Sequence, residues 1–338
     1  MISFNHNGIR ATLQPGQTWV KISADSEFYR DTAVDTLRTI IAAVEQGVPW
    51  REVVAKHYAQ SQPWLHQIIT SPARDLFFRQ HPPPAGARVL DIGAGWGQIA
   101  LPLARRPDLQ VTALEPTPER IAFIRAAALQ EKSADRMHFI QADFQDIAFD
   151  PVFDLACCIG VLEWIPKFRS GDPHIVQLNF LRRLRSALRP GGQCCLGIEN
   201  RFGLKYLLGA RDDHTGQRNV SVFDAALATA KHYSLTGQDL RTFTYTHAEY
   251  EALFREAGFA SIETYAAFPD YKLPELILPC TPAMKLNQAI LDTPLPHEHD
   301  GLDGHPLAYP EEYLSHYRSL ARLGLAQFFC PSFFFVLK

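Results

Sequence analysis

Apolar positions in the chain cluster in short runs separated by longer stretches of helical spacing, a pattern of buried strands alternating with covering helices. Runs ending at Leu90, Leu114, Ala142, Gly160 and Ile198 predict five strands of a parallel sheet. A helix from Val176 to Leu188 stops at Arg189-Pro190-Gly191-Gly192. A later helix runs from Thr246, its cap, to Ala257, with Gly258 as its stop, and precedes a strand over Ala260 to Phe268. The last apolar run, Ser332 to Leu337, predicts a seventh strand. The expected architecture is a doubly wound α/β sheet of seven strands, with core boundaries at 83–268 and the final strand in 328–338. Residues 269–327 then form an insertion before the last strand, a candidate lid.

Residues 1–82 predict a separate cap. A hairpin is expected around Pro15-Gly16, followed by helices near 26–46, 50–60 and 63–79. In the first helix Phe28, Val34, Leu37, Ile40, Ile41 and Val44 recur at helical spacing, and Gly47 with Pro49 separates it from the next. Trp50, Tyr58 and Trp64 are read as core-filling aromatics before pocket-lining ones.

The chemistry concentrates after the first core strand, in Val89-Leu90-Asp91-Ile92-Gly93-Ala94-Gly95-Trp96-Gly97. Alternate glycines permit a tight turn and close approach of a ligand to bare backbone. The spacing is G-x-G-x-G, not the G-x-G-x-x-G of dinucleotide sites, and Asp91 stands two residues before the first glycine. A carboxylate there suits the ammonium of an amino-acid moiety, as S-adenosylmethionine presents. The next strand ends at Glu115, where an acid can hold both ribose hydroxyls. The third ends at Asp143-Phe144, and the fourth runs through Ile159-Gly160 into Val161-Leu162-Glu163-Trp164.

Residues 85 to 200 thereby resemble the class I S-adenosylmethionine-dependent methyltransferases, with a Rossmann-like fold. The resemblance implies that Asp91, Gly93, Ala94, Gly95 and Gly97 surround the methionine part. It also implies Glu115 and Pro116 at the ribose, Asp143 and Phe144 at the adenine, and Ile159 and Gly160 along the sulfonium. A second resemblance is carried by Ile198-Glu199-Asn200-Arg201-Phe202-Gly203 through Arg211-Asp212-Asp213-His214-Thr215-Gly216, by Arg241-Thr242-Phe243, and by Phe268-Pro269-Asp270-Tyr271-Lys272-Leu273-Pro274. These look like the methyltransferase domains found beside glycosyltransferases in bacterial surface-polysaccharide pathways, and imply a saccharide or glycan hydroxyl as acceptor.

A hydroxyl acceptor calls for a base, whereas an amine or thiol needs little help. His214, with Asp212 and Asp213 beside it, is the first candidate, against a plainer reading in which the loop's polar groups hold its own backbone. Glu199 follows the fifth strand, and Tyr271 is placed to reach over the pocket. The other acceptor classes are a small metabolite methylated on nitrogen, sulfur or carboxylate, or none, in a noncatalytic binding module.

Composition narrows the rest. A net charge of −3 gives no broad positive field, so nucleic acid is not an expected partner. The amino terminus lacks a signal-peptide pattern and Leu323 to Leu337 is too short to span a bilayer, so a cytoplasmic location without a membrane span is expected. Cys157-Cys158 and Cys194-Cys195 are vicinal, which favours small core residues over metal or disulfide partners. The His-rich stretch 297–305 is read as a solvated loop, and no metal is expected.

Overall fold

The computed structural model describes residues 1–21, 28–300 and 305–338. They pack as two compact units, Met1–Ile159 with Arg182–Cys195, and Gly160–Leu181 with Leu196–Lys338. The division falls inside the stretch read from sequence as one core. It passes between Ile159 and Gly160 and again between Cys195 and Leu196.

In the first unit the strands are β1 (Ile2–His6), β2 (Ile9–Leu13), β3 (Thr18–Val20), β4 (Arg88–Ile92), β5 (Gln110–Glu115), β6 (Met137–Gln141), β7 (Ile147–Phe149) and β8 (Phe153–Ile159), together with the first part of β9 (Leu188–Glu199). Their order is β9-β8-β4-β5-β6-β3, with β8, β5 and β4 paired parallel and β6 parallel to both β5 and β3. Almost every residue of β4, β5, β6 and β8 is buried, as their continuous apolar runs require. Helix Pro118–Gln130 packs against helix Val34–Glu45, which presents Leu37, Ile40, Ile41 and Val44. This is an α/β, Rossmann-like fold.

The hairpin forms, but its turn is at Asn7-Gly8 instead of Pro15-Gly16. Both residues have positive φ, 50° and 81°, which Asn-Gly supplies for a two-residue hairpin. Its strand β1 also pairs with β7, making a separate three-stranded sheet. The first helix starts at Val34, later than the periodicity suggested, and residues 26 and 27 lie outside the described residues. The third expected helix is broken at Ser71-Pro72 into Pro63–Thr70 and Leu76–Gln80, because proline lacks the amide that would continue the ladder.

In the second unit β10 (Ile262–Phe268), β11 (Leu276–Pro279) and β14 (Ser332–Leu337) follow the order β11-β10-β14-β9, and β10 pairs antiparallel with both neighbours. β12 (His299–Asp300) and β13 (His305–Pro306) form a small separate pair. All seven strands expected from sequence are present, and β3 and β11 are additions at strand edges. β3 is too short and mixed to announce itself, and β11 lies in the insertion. That insertion also carries helices Ala283–Asp292, Pro310–Arg322 and Ala326–Phe329. Helix His247–Glu256 starts with a capping box between Thr246 and Glu249. No helix among the described residues is long and apolar enough to cross a membrane.

Candidate functional site

In the first unit the loop after β4 is built for a ligand. Gly93, Gly95 and Gly97 all take positive φ, at 67°, 55° and 80°. A Cβ at Gly97 would meet Leu101 at 3.0 Å and Ile124 at 3.2 Å, so a side chain there is excluded twice over. Gly93 and Ala94 donate their amides to the Leu114 carbonyl, at 2.8 and 3.0 Å. Glu115, at the end of β5, accepts from the Gly95 amide at 3.0 Å and the Thr117 amide at 3.1 Å. The acid expected at the ribose is therefore also the brace of the glycine turn.

Asp91 is buried and its Oδ2 has no hydrogen-bond partner. Burial pushes its pKa up to about 7, with a further push from Glu115, against the Ala100 amide and Arg74. A buried acceptor left open in this way is what a ligand ammonium would satisfy. Asp143 accepts from the Gln145 amide at 2.8 Å, and Phe144 is buried with its ring 6.4 Å from that of Phe149. The Pro116 carbonyl accepts from Gln141 at 3.2 Å, and Ile159 is the last residue of β8. No motif marked Asp31, which accepts from the Trp96 indole at 3.3 Å and pairs with Arg120 at 2.7 Å, fastening the outside of the loop.

In the second unit Glu163, Glu199 and His214 converge. Glu163 comes four residues after the end of β8, and Glu199 is the last residue of β9. One ligand-capable atom from each of the three lies within 4.8 Å of the others. The Nε2 of His214 is 3.6 Å from Glu199 Oε2 and 3.9 Å from Glu163 Oε1, both too long for a hydrogen bond. Both Glu163 oxygens and Glu199 Oε2 have no hydrogen-bond partner, although both residues are buried. The other Glu199 oxygen accepts from Lys272 at 2.5 Å and from Tyr271 at 3.2 Å. The Trp164 ring sits edge-on to the imidazole at 5.1 Å.

Burial opposes the charged form of His214, but Glu199, Asp212 and Glu163 outweigh it and hold its pKa well above the usual value. Burial raises the Glu163 pKa, Glu199 adds to the rise, and His214 opposes it. Asp212 does what the plainer reading expected, since its Oδ1 accepts from the His214 and Thr215 amides and the Thr215 hydroxyl. Asp213 does not turn to the imidazole: it bonds Tyr206 and pairs with Lys205 at 3.0 Å, because that buried ammonium requires a counter-charge. Asn200 donates its side-chain amide to the Phe328 and Cys330 carbonyls, at 3.0 and 2.8 Å.

His214 also lines a small cavity of about 40 Å³, partly open to solvent, within this unit, together with Arg201, Phe223, Phe243, Tyr245 and Glu249. One wall is helix Ala225–Thr236, of which only Ala228 is buried. Gly160 has φ 70°, and a Cβ on it would lie 2.8 Å from the Tyr271 hydroxyl. The strand-end glycine is thus in close contact with Tyr271.

Residues 89–192 match a family described as a methyltransferase domain. That stretch is similar to methyltransferase domains, and the open Asp91 oxygen and the Cβ-free glycine turn fit S-adenosylmethionine as a cofactor. Over 146 residues the chain is 32% identical to a ubiquinone biosynthesis O-methyltransferase of Xanthomonas axonopodis pv. citri, covering 43% of this chain and 55% of the relative. It is 37% identical over 123 residues to the tRNA 5-carboxymethoxyuridine methyltransferase of Escherichia coli K12, covering 36% and 43%. It is 31% identical over 193 residues to a trans-aconitate 2-methyltransferase of Methylobacterium nodulans, covering 56% and 63%. The match thus spans about half the length of these curated relatives. Their names place a quinone precursor, an RNA base and an organic acid behind similar methyltransferase domains.

Beyond the methyltransferase domain, sequence reasoning missed the cavity walls and the buried pair of Lys205 with Glu298, 3.4 Å apart. The Glu298 signal lay in the stretch 297–305, read as solvated, but this residue is buried and accepts from Tyr313. Residues 301–304 of that stretch lie outside the described residues. All six cysteines are buried and free, as small core residues should be.

Proposed function

We propose that the chain transfers a methyl group from S-adenosylmethionine to a hydroxyl oxygen of a saccharide or glycan intermediate. The observation that carries this reading is the convergence of two buried carboxylates, each with an oxygen that lacks a hydrogen-bond partner, on an imidazole that lines a cavity walled by Phe223, Phe243 and Tyr245. Bound S-adenosylmethionine supplies the methyl on a sulfonium, already a good leaving group. An amine or thiol acceptor would need no base, so a built base favours oxygen.

His214 retains its proton at neutral pH under the influence of the surrounding acids, which moves the base role from the imidazole to its neighbours. Glu163, with its pKa raised, is a stronger base than an ordinary carboxylate and takes the hydroxyl proton. The oxygen forms its bond to the methyl carbon as the carbon–sulfur bond breaks, and that electron pair stays on sulfur. His214 and Lys272 hold the two carboxylates in place. Both Glu163 and Glu199 follow the carboxyl ends of strands, where open α/β sheets place ligands. Arg201, Tyr245 and Glu249 offer groups for sugar hydroxyls, and Phe223 and Phe243 offer rings for the apolar faces of a sugar. The run from Ile198 to Gly216, which resembles the glycan-pathway domains, contains both Glu199 and His214.

The test is calorimetric titration with S-adenosylmethionine and S-adenosylhomocysteine, then a labelled-methyl screen of nucleotide sugars, glycan fragments, phenols and organic acids. Label on a saccharide oxygen supports the proposal. Label confined to a phenol or carboxylate gives the acceptor to a small metabolite, and no cofactor binding sinks the reading altogether.

A further inference from the structure

We propose that Glu163, Glu199 and His214 form a binding site for one divalent metal ion. The inference deepens the reading of an oxygen acceptor and rests on it only for the ion's role. Three observations meet here. First, the His214 Nε2 distances of 3.6 and 3.9 Å to the carboxylate oxygens exceed a hydrogen bond. Two ligands on one ion, each at about 2.0–2.2 Å, stand roughly 3.0–3.6 Å apart, so a small inward movement closes the set on a cation.

Second, Glu163 is 0% exposed and neither of its oxygens has a hydrogen-bond partner, while Glu199 directs a second open oxygen at the same point. Buried charge of this kind is kept only when paired or when it coordinates a metal. The other buried acids of this unit are already satisfied: Asp212 by its own loop, Asp213 by Lys205 and Tyr206, Glu298 by Tyr313 and Lys205, and Asp270 by the Lys272 and Leu273 amides. Two lysines, Lys205 and Lys272, face this group, which leaves an excess of negative charge. Third, the donor types are right. One imidazole, whose Nε2 proton the ion displaces on binding, and two carboxylates suit a borderline or hard divalent ion such as Mn²⁺, Fe²⁺ or Zn²⁺. With three protein ligands, such an ion keeps a position open for an acceptor hydroxyl, whose pKa it would lower.

The experiment uses the full chain, stripped with EDTA and titrated with MnCl₂ while free Mn²⁺ is read by electron paramagnetic resonance, with ZnCl₂ and MgCl₂ titrations followed by calorimetry. The expected result is one ion per chain, with affinity reduced at least tenfold in Glu163→Gln and in His214→Gln, and unchanged in the surface control Asp108→Asn. Binding of S-adenosylhomocysteine and circular dichroism establish that each variant is folded. The proposal is overturned if the wild type binds none of the three ions below millimolar concentration, or if both site variants bind as well as wild type. Methyl transfer that persists in EDTA without bound metal removes the ion and leaves the proposed function standing. Metal binding without cofactor binding does the reverse.

Discussion

Glu199 Oε2 lies 3.6 Å from the Nε2 of His214, while the other oxygen of the same carboxylate is held by Lys272 and Tyr271. One side chain therefore has a fixed half and an open half. Replacing Glu199 with Gln removes the charge that supports the imidazolium and is expected to lower kcat by about 100-fold or more. S-adenosylhomocysteine affinity, measured by calorimetry, should change less than threefold. An equal loss in both would place Glu199 among the cofactor contacts instead.

Asp91 predicts a proton released on cofactor binding. Its folded-state pKa is raised to about 7, so the free protein holds a proton that a bound ammonium would displace. Calorimetry near pH 6 in buffers of different ionisation enthalpy should show release approaching one proton in the wild type and none in Asp91→Asn.

The same group sets a stability trend. A carboxyl raised from about 3.9 to about 7 binds more protons folded than unfolded across that window, so stability falls as pH rises from 4 to 7. The full effect is on the order of 4 kcal/mol. Denaturant melts at pH 4.5 and 7.0 should show wild type losing stability relative to Asp91→Asn over that interval. A difference that does not change with pH would refute the burial argument.

Gly160→Ala should destabilise the protein by roughly 1–3 kcal/mol. Its φ of 70° disfavours a side chain, and the new Cβ would meet Tyr271 Oη at 2.8 Å. Pairing it with Tyr271→Phe tests the cause. If removing the hydroxyl recovers none of the lost melting temperature, backbone strain alone is responsible.

Thr246→Ala removes one half of the capping box and is expected to cost about 1 kcal/mol. Methyl transfer at 25 °C should fall as well, because the other half of the box, Glu249, lines the cavity beside Arg201. Thermal denaturation monitored by circular dichroism checks the first statement and the labelled-methyl assay the second.

The glycine turn and the acid that braces it were legible because they are local in sequence. Asp91 and the three glycines sit within seven residues, and Glu115 ends the very next strand. Strands buried on both faces also announce themselves as unbroken apolar runs, so β14 was read to the residue. The cluster in the second unit was legible only as separate acids and a histidine. Glu163, Glu199 and His214 are spread over 52 positions, and nothing in their spacing says that one carboxylate is satisfied while another stays open. Asp212 and Asp213 show the same limit, since neighbours in sequence point to different partners. The Asn7-Gly8 turn was available in the residues themselves, as the dipeptide most suited to a tight hairpin, but Pro15-Gly16 competed with it.

Helix Ala225–Thr236 walls the cavity yet anchors itself through one buried residue, Ala228, while Leu227, Tyr233 and Leu235 stand 57%, 57% and 60% exposed. So thinly fastened an element has little free energy opposing its release, and it belongs to the part of the unit that opens first. Its amides should exchange with deuterium well before those of β10 or β14. Early exchange confined to the stretch between Asp224 and Gly237 would mark the whole helix as the wall of the cavity that opens.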